Sequence, residues 1–97
     1  MRIAKVIGTV TLSRCLSSFE SATLKLAVPQ SLENLASGEG SQADALVVWD
    51  ELGSGLGSQI AVSEGAEAAQ PFRPELKPVD AYNAALLDNI SITTTKL

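Results

Sequence analysis

Histidine is absent from the 97-residue chain and cysteine occurs once, as Cys15. No imidazole is therefore available as a general base, a nucleophile's partner or a metal ligand, and a single thiol makes neither an intrachain disulfide nor a thiolate metal cluster. Carboxylate or lysine chemistry is all that remains for catalysis. Aromatic side chains are scarce too: Phe19, Trp49, Phe72 and Tyr82 are the whole set. A domain of this size buries roughly 60–70% of the surface its unfolded chain exposes, so a core with so few rings is thin and gains from oligomerisation. From Leu26 to Phe72 there are seven acids and no base, within a chain of net charge -4. A polyanion meets like charge along that stretch, which argues against sequence-independent nucleic-acid binding. No apolar run approaches the roughly 18 residues of a membrane span. In "MRIAKVIGTV", Lys5 and Thr9 interrupt what would have to be the apolar core of a signal peptide. Together with the lone thiol, this makes the expected location the cytosol.

What is present is enough for one folded domain. The composition is 45% hydrophobic and 19% charged, and the length leaves no room for a second core. In the first segment Ala4, Val6, Gly8, Val10 and Leu12 alternate with Lys5, Thr9, Thr11 and Ser13, the period of a half-buried strand. "TLKLAVP" alternates again, with Leu24, Leu26 and Val28 expected inward and Pro29 ending the strand. Residues 31–43 are rich in Ser, Gly and acids and read as a surface loop with room for one helical turn. "ALVVWD" is apolar on both parities, as in a strand covered on both faces by the core and by the rest of the chain or a second subunit. "SQIAVS" is a fourth strand. Helical turns broken by Pro71, Pro74 and Pro78 follow. Val79, Tyr82 and Leu86 then fall at helical spacing, with Asp80 in the first turn, and Asn89 to Ile92 alternate as a last strand. Five short strands with a small helix near the C-terminus describe a mainly β fold, a small five-stranded barrel of the oligonucleotide-binding type. Residues 1–92 form this domain and 93–97 a tail.

The stretch "WDELGSGLGSQIAV" holds Gly53, Gly55 and Gly57. A phosphate-binding loop needs Gly-x-x-x-x-Gly-Lys-Ser/Thr, yet no lysine lies between Lys25 and Lys77. A dinucleotide fingerprint needs Gly-x-Gly-x-x-Gly between a strand and a helix, whereas these glycines run from strand to strand beside Asp50 and Glu51. The glycines are read as a tight turn needing positive φ or close backbone approach. Asp50 and Glu51, with Asp44, are the candidates for acid/base or hard-cation chemistry, but adjacent acids at a strand end fit a solvated edge better. Trp49 fits core or subunit interface better than a stacking platform, and Cys15, beside Arg14, a free thiol in a small apolar patch.

The ordered set "MRIAKVIGTVTLS", "LKLAVP", "VVWDELGSGLGSQIAVSEG" and "PVDAYNAALLDNI" resembles, in order and spacing, the EutN/CcmL family of bacterial microcompartment vertex proteins. The specific points are Gly8, Asp50, Gly53-Ser54-Gly55, Gly57, Gly65, Pro78, Asp80 and Asp88. The resemblance implies a non-enzymatic shell protein without cofactor or metal. It implies a small barrel assembling as a cyclic homopentamer, which caps the vertices of a shell of hexameric tiles in the bacterial cytoplasm. The chain departs from the family in "AEAAQ" after Gly65, where Ser-Ala-Arg is usual, and in "FESATL", where a glycine is common. Trp49, Asp50, Gly53, Ser54, Gly55 and Gly57 are the expected assembly loop, at the subunit interface or near the ring axis. The alternative is a small barrel module for single-stranded nucleic acid, which would need a basic groove with interleaved aromatics.

Overall fold

β-branched residues, which fit a pleated surface, are frequent at the start of the chain. In the computed structural model Arg2–Val10 forms strand β1. The structure describes residues 1–38, 40–75 and 77–93. Strands β2 (Leu24–Pro29), β3 (Leu46–Trp49), β4 (Gln59–Glu64) and β5 (Ala81–Leu86) complete a closed barrel in the order β1-β2-β3-β5-β4. All neighbours are antiparallel except β3 and β5, which meet in parallel with Trp49 opposite Tyr82. That contact closes the sheet and removes its edges. The loop after β2 holds a short helix, α1 (Leu32–Ser37). It starts on a reciprocal cap: the Ser31 hydroxyl accepts from the Asn34 N–H at 3.1 Å, and Asn34 Oδ1 accepts from the Ser31 N–H at 3.0 Å.

The lumen is filled by Ala4, Val6, Ala27, Val48, Ile60, Val62 and Ala81, with Leu46 packed against them. Small and branched side chains suit so narrow a barrel. A second cluster lies outside the wall: Leu24, Trp49, Ala68 and Val79 are buried there, joined by Val10, Phe19, Ala22, Phe72 and Tyr82. All four aromatics of the chain are in it. A 3-10 helix, Gly65–Phe72, and the segment leading to β5 cover it from one side, and a 3-10 turn, Ser17–Phe19, from the other.

Three expectations change. In β1, Val6 lies opposite Ala27 and Gly8 opposite Leu26, so Ile7 is an extra residue. Such a bulge reverses the side-chain alternation: Ala4 and Val6 reach the lumen, but Val10 joins the outer cluster. In β2, Leu24, Leu26 and Val28 do share a face, but it is the outer one, and Ala27 fills the lumen. The C-terminal part differs most. Val79 to Leu86, expected to begin a helix, contains β5, and residues 89–92 form no strand. Alanine favours helix locally, but β5 is pinned by pairing with β4 and by the side chain of Asn83, so tertiary contacts override the local preference. The helical turns precede β5, at Gly65–Phe72. Of the expected tail, only Thr93 falls within the described residues.

Candidate functional site

The ladder of β3 carries one step past Trp49, where the Asp50 N–H donates to the Thr23 carbonyl at 2.9 Å. The chain then turns away, and the Asp50 side chain shapes the turn. Its Oδ1 accepts from the Leu52 N–H at 3.0 Å and from Asn83 Nδ2 at 2.9 Å. Its Oδ2 accepts from the Ser54 N–H at 2.9 Å and from the Ser54 hydroxyl at 2.7 Å. The contact to the N–H two residues on is the local turn that aspartate favours. Asp50, only 2% exposed, Ser54 and Asn83 are the buried polar side chains among the described residues. Burial pushes the Asp50 carboxyl up, but the hydrogen bonds from the Ser54 hydroxyl, the Asn83 amide and the two backbone N–H groups outweigh it. The pKa is held below the ordinary 3.8. Asp50 is therefore no solvated edge, as its neighbour in sequence suggested. Four donors occupy its oxygens, so it has no free acceptor aimed at a cation or a substrate proton.

Glu51 does face solvent, and its Oε1 accepts from the Tyr82 hydroxyl at 3.0 Å. Burial, then the hydrogen bond and charge of Glu51, raise the Tyr82 pKa. Asp44 is exposed, and among the described residues no group of three or more Asp, Glu, His or Cys side chains is placed to hold a metal ion. Trp49 sits in the outer core: its ring centroid is 5.5 Å from Phe19 and 4.7 Å from Phe72, and Phe72 meets Tyr82 nearly edge-on at 5.4 Å. Lys77 Nζ lies 4.9 Å from the centre of the Trp49 ring and donates to the Ser18 carbonyl at 2.8 Å, stitching the outer layer together. Cys15 is exposed, contrary to its expected place in an apolar patch, although Val10, Leu12 and Phe19 line the same cavity.

The glycine run folds back on β1. Gly57 donates to the Val6 carbonyl and Val6 to the Ser58 carbonyl, both at 2.8 Å. Gly53 at φ 75° and Gly57 at φ 85° occupy the left-handed region that side chains rarely adopt. Gly55 does not; a Cβ there would meet only Ser58 Oγ, at 4.0 Å. The subunit on its own thus gives no reason for glycine at position 55. Leu52 and Leu56 stand out from the loop, Leu56 with 82% of its surface exposed. The six expected residues accordingly form one structural unit, to which the structure adds Asn83, Ser58 and Tyr82. Asn83 was hidden because a polar residue in an alanine-rich stretch gives no sign of a partner 33 positions away.

This loop and barrel have relatives. The family model described as "Ethanolamine utilisation protein EutN/carboxysome" matches residues 1–88. The chain belongs to the EutN/CcmL family. Among solved structures, the EutN/CcmL barrel is similar to CcmL of Gloeobacter violaceus, with 28% identity, a TM-score of 0.82, and 95% of this chain and 90% of that one covered. CcmL of Nostoc sp. PCC 7120 is 31% identical at a TM-score of 0.78, covering 93% and 92%. GrpN from Rhodospirillum rubrum, described as a pentameric microcompartment shell protein, is 25% identical at a TM-score of 0.79, covering 96% and 100%. No curated protein matches the sequence.

Proposed function

We propose that this EutN/CcmL chain is a structural shell protein: a cyclic homopentamer that caps the vertices of a bacterial microcompartment in the cytoplasm and docks against hexameric shell proteins. The observation that carries this reading is the full-length likeness of the barrel to a pentameric microcompartment shell protein within a shared family. The mechanism is geometric. A flat layer of hexagonal tiles cannot close on itself, and five-fold units introduce the curvature that closes it. The barrel supplies a stiff wedge, residues 1–92 acting as one unit with 93–97 as a tail, and the chain has no catalytic role. Trp49, Asp50, Gly53, Ser54, Gly55 and Gly57 act in assembly. Asp50 and Ser54 hold the loop's shape, Trp49 anchors its root, and Gly55 leaves room for the backbone of a neighbouring subunit.

A single-stranded nucleic-acid module draws no support from the structure. The four aromatic rings are packed against one another rather than spread along a basic groove. The shell reading is tested by co-producing the chain with hexameric shell proteins of its own cell and imaging the products by electron microscopy. Closed polyhedra that become open tubes or sheets when the chain is omitted are the expected result. Shells that close equally well without it would refute the reading.

A further inference from the structure

Among the described residues, one buried side-chain nitrogen or oxygen has no hydrogen-bond partner: the amide oxygen of Asn83, Oδ1. The residue is 1% exposed. On β5 it stands two positions after Ala81, a lumen residue, and side chains two apart on a strand share a face. Across the ladder it lies opposite Val62, which also fills the lumen. The Asn83 amide therefore enters the barrel. Turning it over does not relieve the oxygen. Nδ2 donates to Asp50 Oδ1 at 2.9 Å, and the reversed amide would set two acceptors against each other. Asp50 thus fixes which way the amide faces. A buried amide oxygen without a donor is costly, and in folded proteins such groups nearly always find one.

The aliphatic side chains that fill the lumen supply no donor, and the ladder next to Asn83 is irregular. Ala61 lies opposite Ala85 and Val62 opposite Asn83, so Ala84 is an extra residue in β5. A bulged residue is left out of the ladder, which puts backbone groups with spare hydrogen-bonding capacity beside Asn83. The lumen cluster also includes Ala4, Ala27 and Ala81, whose side chains end at Cβ. A buried water needs about one probe sphere of room and two to four polar partners. We infer that Asn83 Oδ1 holds an internal water in the barrel lumen, whose remaining bonds go to backbone at the Ala84 bulge. A cation is the poorer occupant. The Asp50 oxygens are already taken by four donors, and one neutral amide oxygen among aliphatic groups does not offset the loss of a cation's hydration. The amide then works at both ends: Nδ2 holds the Asp50 turn and Oδ1 the water, joining the glycine loop to the inside of the barrel. The site is complete within one subunit and does not rest on the pentamer.

A crystal structure of the full chain at atomic resolution is the first test. It should show an ordered water about 2.5–3.0 Å from Asn83 Oδ1, enclosed by the lumen side chains. Magnetic relaxation dispersion of the solvent oxygen, which counts long-lived internal waters, is the second. Asn83→Leu keeps the branched shape without either polar atom and should lose one such water per subunit. Ser54→Ala weakens the same loop without touching Oδ1 and should keep the wild-type count. Crystals in which Oδ1 meets only carbon, or accepts from a protein N–H of its own or a neighbouring subunit, would overturn the site. An unchanged count in folded Asn83→Leu, or the same loss in Ser54→Ala, would overturn it too. Should Asn83→Leu fail to fold, the wild-type crystal decides alone.

Discussion

The lumen and the outer wall of this barrel are two cores built from different material. The apolar filling of the lumen is alanine, valine, isoleucine and a half-buried leucine, packed inside a closed ring of backbone hydrogen bonds, with the buried Asn83 opposite Val62. The outer cluster holds every aromatic ring of the chain, a lysine over two of those rings, and segments with little regular structure to cover them. The lumen tolerates little change in volume because the strands fix its bore. The outer layer is bound by fewer, larger contacts and is the natural place for the surface to adapt to a neighbour. Between the two stands Asp50, which ties β3 to β5 through Asn83 and sets the loop that leaves the wall.

The two cores should fail differently. The largest losses are expected in the outer layer from Trp49→Ala, about 3–5 kcal/mol, and in the lumen from Ile60→Ala, about 2–5 kcal/mol, both read by urea denaturation. Hydrogen exchange separates them. Trp49→Ala should speed exchange first in residues 65–75, while Ile60→Ala should act on β1, β4 and β5 together. Uniform acceleration in both variants would mean a single cooperative core.

Asp50→Asn places an amide opposite four donors and should cost about 2–3 kcal/mol. It should also flatten the acid limb of stability. Because the folded-state pKa of Asp50 lies below 3.8, its contribution is present above the unfolded value of about 3.9 and is lost as pH falls through the folded one. Urea midpoints between pH 2 and 7 should therefore converge for the two proteins at the acid end. Parallel curves would remove Asp50 from its place as the link.

Lys77→Met keeps the aliphatic stem but removes the charge over Trp49 and Phe72 and the bond to Ser18, and should cost about 1–2 kcal/mol. The smallest effect has the opposite sign. Ser21 sits at φ 64° in the turn before β2, so Ser21→Gly should raise stability by about 0.5–1 kcal/mol, read from the same denaturation curves.

Much of this was legible in the residues. Alternation marked β1 and β2, the doubled apolar parity of "ALVVWD" matched a strand with a core on each face, and Gly53 and Gly57 announced a turn at positive φ. What escaped was non-local. The bulge at Ile7 reverses a face without any sequence mark, and only the pairing with β2 reveals it. The alanines of β5 favour helix until β4 and β3 fix them on either side. Asp50 looked exposed because its four donors come from the turn it creates and from a strand that sequence spacing read as helix. The resemblance to the family carried the overall architecture further than periodicity did. The proposal that the loop acts in assembly, by contrast, rests on the open space around Gly55 and the exposed Leu56.

A five-fold ring fixes the mass of the native particle. Native mass spectrometry of the purified 97-residue chain, sprayed from a volatile buffer near neutral pH, should give a dominant species of five subunits, with Gly55→Val appearing as a folded monomer. A wild-type chain that remains monomeric at tens of micromolar, or that forms a two-fold dimer, would contradict the vertex role.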